Sequence, residues 1–166
     1  RLEDRSLPLF AAGEPCGRLR IRLQFNDQPV TTPARAAATV VLLRDADDGM
    51  EVFMVKRHGL SDVLGGAWVF PGGKVDAADA APSALERLKT PLDQLHAALG
   101  EPDLDTATAA GLFVAACRET FEEAGVLLAE DATASHVDAA QQARAREGLS
   151  FSDVLSRLGL RLDCDY

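Results

Sequence analysis

Residues 118 to 126 read RETFEEAGV and set Glu119, Glu122 and Glu123 within about one and a half turns of a helix, with Arg118 ahead and Gly125 behind. Carboxylates this close repel: two unit charges about 4 Å apart at an effective dielectric near 20 cost on the order of 4 kcal/mol. Water offsets that cost on an exposed helix face, where like charges at i,i+4 lose only about 0.2–0.5 kcal/mol. A bound cation offsets it in a site. Clustered carboxylate oxygens are hard ligands and suit Mg²⁺ or Mn²⁺ rather than zinc. The nonamer alone leaves both arrangements open.

A second stretch, FPGGKVDAAD at 70 to 79, contains a loop of the kind such a cation needs. Gly72 and Gly73 lack a Cβ, so their backbone carbonyls can approach an ion closely. Asp79 adds a carboxylate. Arg118, four residues before Glu122, is spaced to bridge to it and to reduce the repulsion. Lys56 and Arg57 end an apolar stretch where they could meet a diphosphate, although charges there are more often solvated. Trp68 could stack on a base but reads better as a core residue. His58, His96 and His136 sit in unrelated contexts and read as structural or exposed. Cys117 falls on the apolar side of the glutamate helix and reads as a small core residue.

These residues need elements to hold them. LRIRLQF at 19 to 25 alternates apolar and polar with the period of a half-buried strand. ARAAATVVLLR at 34 to 44 and EVFMVKR at 51 to 57 read as two strands of a hairpin closed by DADDG. AWVFPGGKV at 67 to 75 reads as a short strand stopped by Pro71, Gly72 and Gly73. Helical patterns follow: a short helix from Pro82, a second from 92 capped by Gly100, and a long one from an N-cap at Asp105 or Thr106 to Ala124. On that long helix Phe113, Cys117, Thr120, Phe121 and Ala124 share one side and the glutamates the other. Further on, VLLA at 126 to 129 suggests a brief strand, HVDAAQQARAREG and FSDVLSRLG two helices, and LGLRLDCDY a final strand.

The bulk numbers bound the reading. With 166 residues, 47% apolar and 26% charged, the chain suits one globular domain over 1–166. A net charge of −9 argues against nucleic acid as a partner, because phosphate neutralisation needs an excess of Lys and Arg. A phosphorylated substrate would instead require local cations. The longest apolar runs fall far short of the roughly 20 residues of a membrane span. Three scattered cysteines without a CxxC pair predict free thiols in a reducing compartment, and the cytoplasm is the expected location.

Taken together, the two stretches resemble the halves of the Nudix box, G-x5-E-x7-R-E-U-x-E-E-x-G-U with U a bulky apolar residue. Gly73 matches the first glycine, Arg118 and Glu119 the RE pair, Glu122 and Glu123 the EE pair, Gly125 the late glycine and Val126 the last U. Asp79 replaces the isolated glutamate. It precedes Arg118 by 39 positions where the pattern has 8, so about 31 residues are inserted within the box. An insertion of this kind is found in the branch of peroxisomal coenzyme A diphosphatases and their bacterial relatives. The coenzyme A motif of other branches, L-L-T-x-R-[SA]-x3-R-x3-G-x3-F-P-G-G, is kept in part: Arg57, Gly66 and FPGG match, whereas Phe53, Met54, Val55, His58 and Asp62 do not.

The resemblance implies an α/β protein, a Nudix-like α/β/α sandwich with a mixed sheet, an N-terminal extension at 1–33 and a helical insertion at 80–110. It also implies that more of the fold follows residue 166. The implied activity is metal-dependent hydrolysis of a nucleoside diphosphate linked to another moiety, with coenzyme A or acyl-CoA suggested by the insertion and sugar nucleotides, dinucleotides or nucleotide polyphosphates left open. Mg²⁺ or Mn²⁺ would be held by Glu119, Glu122, Glu123 and the Gly73 carbonyl, with Asp79 a weak ligand or one step removed. Arg118 would orient the glutamates, and Arg57, Gly72 and Gly73 would meet the substrate. A small-molecule nucleotide is the expected partner, and a homodimer is open to it. A nucleotide sensor without catalysis is the other class to weigh; such modules usually lose box carboxylates, and here all three remain.

Overall fold

Asp47 and Asp48 form the two-residue loop of the first hairpin, joining strand β2 (Leu43–Ala46) to β3 (Gly49–Val52), where DADDG predicts a turn. The structure is a computed structural model and describes residues 33–58 and 66–164. The strand expected at 19 to 25 lies outside the described residues. The strand expected at 34 to 44 changes partner along its length. Its first part, β1 (Ala37–Thr39), pairs with β6 (Gly72–Lys74), and the contact runs on through Val40 N–H to Pro71 O at 3.0 Å and Val75 N–H to Ala36 O at 3.0 Å. From Leu42 onward the partner is the hairpin strand, beginning with Phe53 N–H to Leu42 O at 3.0 Å.

Pro71 and the two glycines do not end the strand as their residue types predict. β5 (Trp68–Val69) pairs with β4 (Val55–Lys56), and after Phe70 and Pro71 the chain resumes as β6. Proline removes only a donor; its carbonyl still accepts from Val40, so the segment crosses from one partner to another without losing its direction. Among the described residues the strands form three two-stranded antiparallel ribbons, giving a mixed α/β fold with small sheets.

The helices follow the sequence reading closely. A 3-10 turn (Ala77–Ala80) leads into α1 (Pro82–Leu85), with Pro82 in the first turn, where its missing N–H costs nothing. α2 (Leu92–Leu99) ends at Gly100, φ 73°. α3 (Thr106–Ala124) starts at Asp105, whose Oδ1 accepts from Thr108 N–H at 2.9 Å, and stops at Gly125, φ 70°. α4 (Ala134–Glu147) and α5 (Phe151–Leu158) complete the set.

The expected strands at 126–129 and 158–166 shrink to single bridges, Leu88 with Leu162 and Ala129 with Leu162. Backbone bonds extend them: Leu162 N–H to Arg87 O at 2.6 Å, Lys89 N–H to Leu162 O at 2.9 Å and Glu130 N–H to Arg161 O at 2.9 Å. Lys89 Nζ adds ion pairs to Asp163 and Glu130 at 3.1 and 3.2 Å.

The core sits among the helices. Leu88, Leu95, Val114, Cys117, Phe121, Phe151, Val154, Leu155 and Leu162 are buried in one cluster, and Phe121 stacks on Phe151 with ring centroids 5.8 Å apart. Leu88 and Leu95 of the inserted segment belong to this cluster and Leu85 and Leu92 pack against it, while Leu99 borders a groove beside Leu112 and Phe113. On the ribbons, Val41, Leu43, Met50 and Val52 are exposed. Trp68 is exposed too, against the expectation of a core residue. Its ring has Lys56 Nζ, from the paired strand, 5.8 Å from the centroid.

Candidate active site

Arg118 joins the two halves of the motif. Its Nε and Nη2 donate to Oδ1 and Oδ2 of Asp79 at 2.8 and 2.9 Å, Nη2 also reaches Lys74 O at 2.9 Å, and Nη1 reaches Glu119 Oε1 at 2.8 Å and Glu122 Oε2 at 3.1 Å. One planar guanidinium thus fixes a side chain at 79, a backbone carbonyl at 74 and two glutamates on its own helix. Asp79 beside it, opposed by burial and helped by Glu119, holds Arg118 charged above its ordinary range.

Local sequence explains how Asp79 gets there. It is the N3 residue of the 3-10 turn, where its Oδ2 accepts from Asp76 N–H at 2.8 Å. The turn lies against α3 at Gly111, where a Cβ would come 2.9 Å from Ala80 Cβ; glycine there permits the approach that carries Asp79 to Arg118. Asp79 is 3% exposed with both oxygens engaged.

The glycine loop meets the glutamate face as the motif requires. A Cβ on Gly73 would overlap the Glu119 carboxylate, so a side chain there would have to displace it. Gly72 N–H donates to Glu123 Oε2 at 3.0 Å. Glu122 is held at both oxygens, by Arg118 at Oε2 and by Arg144 of α4 at Oε1. Among the described residues no donor reaches Glu119 Oε2 or Glu123 Oε1, and no three His, Cys, Asp or Glu side chains already form a cation cage. The donor chemistry nevertheless fits a hard divalent ion: carboxylate oxygens with open lone pairs beside a backbone cradle that a Cβ would fill.

The other candidates fall elsewhere. Arg57 is exposed directly after β4, its backbone N–H bonded to Ala67 O at 2.9 Å. His96 meets Glu101 O at 3.1 Å, His136 closes the cap of α4 with Thr133, and His58 is exposed. Cys117 is buried as expected. Its Sγ lies 3.9 Å from Cys164 Sγ, a contact that two cysteines 47 positions apart gave no cause to expect. Arg144 was also absent from the sequence reading, because an arginine in a polar helix carries no signal of its own.

No protein-family model matches the chain. Among solved structures it is similar to a NUDIX hydrolase from Alicyclobacillus acidocaldarius, with 30% sequence identity and a TM-score of 0.53 over 80% of this chain. The chain spans 58% of the length of that protein. The α/β fold is therefore Nudix-like.

Proposed function

We propose that this chain is a Nudix-type hydrolase that cleaves the diphosphate of a nucleoside diphosphate linked to a second moiety. The observation that carries the reading is the Arg118 hub: across an insertion of about 31 residues, Asp79 and the glycine loop are still brought to the RExxEE face. A solvated helix face would have no need for a buried arginine bound bidentately to a buried aspartate. The similarity to a solved NUDIX hydrolase points the same way.

In this reading Glu119, Glu122, Glu123 and the Gly73 carbonyl hold Mg²⁺ or Mn²⁺. The bound ion supplies Lewis acidity toward a phosphoryl oxygen and lowers the pKa of water. The chain's own residues do the rest. Arg118 orients Glu119 and Glu122, Gly72 N–H orients Glu123, and the carboxylate oxygens without a protein donor are acceptors for the ion or for the proton of water. Water adds to one phosphorus, the bridging P–O bond breaks, and a nucleoside monophosphate and a phosphorylated second moiety leave. Arg57 and the glycine loop are assigned to the substrate.

Coenzyme A or an acyl-CoA is the substrate we favour, on the place of the insertion within the box and the partial match at Arg57, Gly66 and FPGG. The cytoplasm is the compartment that goes with it. Incubating the protein with coenzyme A, NADH, ADP-ribose and sugar nucleotides under Mg²⁺, with and without chelator, tests both levels. Chelator-sensitive release of a nucleoside monophosphate from any of them supports the hydrolase; inertness toward all with tight nucleotide binding makes the chain a sensor. Cleavage of the others but not of coenzyme A removes only the finer assignment.

A further inference from the structure

Glu122 has a second arginine, on a different element from the first. Arg144 comes from α4, its Nη2 paired with Glu122 Oε1 and its Nη1 donating to Leu149 O at 3.1 Å in the connection to α5. Three residues earlier on the same face, Gln141 stands at the end of α3, within 3.2 Å of where a Cβ on Gly125 would lie. The placement of Arg144 is thus set by its pairing with Glu122 and by a fixed backbone carbonyl.

The two arginines are not equivalent. Arg118 is buried and fixed bidentately to Asp79 through Nε and Nη2, so its position does not depend on Glu122, which it meets through Nη1 alone. Arg144 is 32% exposed at its side chain and its remaining anchor is one carbonyl, so water can take over its donors. A divalent ion that takes Glu122 as a ligand competes with Arg144 for the same carboxylate, and the two cations repel.

We propose that Arg144 is a positioning residue of this site: it neutralises and holds Glu122 while no metal is bound, and yields it when metal binds. Released from Glu122 but still held near Leu149, the guanidinium stands beside the site as a planar donor for a phosphate of the substrate. This rests on the metal-dependent reading given above.

The test uses Mn²⁺ as probe, its affinity measured by the electron paramagnetic resonance signal of the free ion, in the whole protein and in Arg144→Ala, Arg144→Lys, Glu122→Gln and the Arg144→Ala/Glu122→Gln double variant. Removing a competing cation should tighten Mn²⁺ binding about 3- to 10-fold in Arg144→Ala and less in Arg144→Lys. Within the Glu122→Gln background the same change should have no effect. KM for the substrate should rise in Arg144→Ala more than kcat falls. Melting temperatures without metal, taken as a double-mutant cycle, should give a favourable coupling between Arg144 and Glu122 that disappears at saturating Mn²⁺. Unchanged Mn²⁺ affinity in Arg144→Ala with wild-type binding intact overturns the proposal and leaves the metal site standing. A wild-type protein that binds no Mn²⁺ overturns both.

Discussion

Arg118 and Asp79 lie 39 residues apart and share two hydrogen bonds of 2.8 and 2.9 Å, the aspartate 3% exposed. The pair spans the inserted segment and makes one site of a divided motif. Cutting one partner of a buried pair leaves the other charge uncompensated. Asp79→Ala should therefore lower unfolding stability by about 3 kcal/mol, the lower end for a broken buried pair because Glu119 and Glu122 remain beside Arg118. Urea unfolding measures it, and a loss near zero would reduce the hub to a surface contact.

Glu123 has its Oε2 on Gly72 N–H and, among the described residues, its other oxygen without a donor. Glu123→Gln should lower turnover at least about 100-fold, a loss of roughly 2.7 kcal/mol of transition-state stabilisation, with the circular dichroism spectrum unchanged. Near wild-type turnover would identify the three glutamates as a solvated face.

A Cβ on Gly73 would overlap the Glu119 carboxylate. Gly73→Ala must push either β6 or the Glu119 carboxylate away, and the Mn²⁺ affinity should fall at least about 10-fold. Gly100→Ala, at a helix end with open space around it, serves as the control, strained in its backbone but without effect on metal.

Asp105 caps α3, and its bonds to the Thr108 hydroxyl and then the Thr108 N–H hold its carboxyl below the ordinary 3.8. A depressed folded pKa contributes stability above the unfolded value and loses it as pH falls through the folded one. Asp105→Asn should thus melt lower than wild type at pH 7, with the gap closing below pH 3.8. A gap independent of pH would mean that the carboxylate charge plays no part in the cap.

The bond with Cys164, with burial added, pushes the Cys117 thiol well above its ordinary 9.0. Cys117 should stay protonated at pH 8 and react with iodoacetamide at least about tenfold more slowly than Cys164, as peptide mass mapping of the native protein would measure. Equal labelling of both would place Cys117 outside the core.

The helices were legible because their ends carry local chemistry: Asp105 and Gly125 bound α3, Pro82 opens α1 and Gly100 closes α2. The strands were less so. Nothing in the types of Val40, Val41 and Leu42 announces that one partner is exchanged for another, since pairing is a relation between distant segments. Of the site, the glutamates, Arg118, Gly73 and Asp79 could be picked out by type and spacing, and the i,i+4 bridge from Arg118 to Glu122 could be foreseen. The bidentate hold of Asp79 and the arrival of Arg144 could not, because both depend on where distant elements, the 3-10 turn and α4, come to lie beside Arg118 and Glu122.

The bridges that join residues 161–163 to 87–89 and to 128–130 imply an order of assembly. The Arg118–Asp79 pair can close once residue 118 has emerged during synthesis, whereas the inserted segment waits for a strand-like stretch 74 positions downstream of Leu88. Synthesis from the N-terminus therefore predicts that the Arg118–Asp79 pair closes before the insertion is fastened over the core. Amide protons at Lys89 and Leu162 should then gain protection together, and after those of α3.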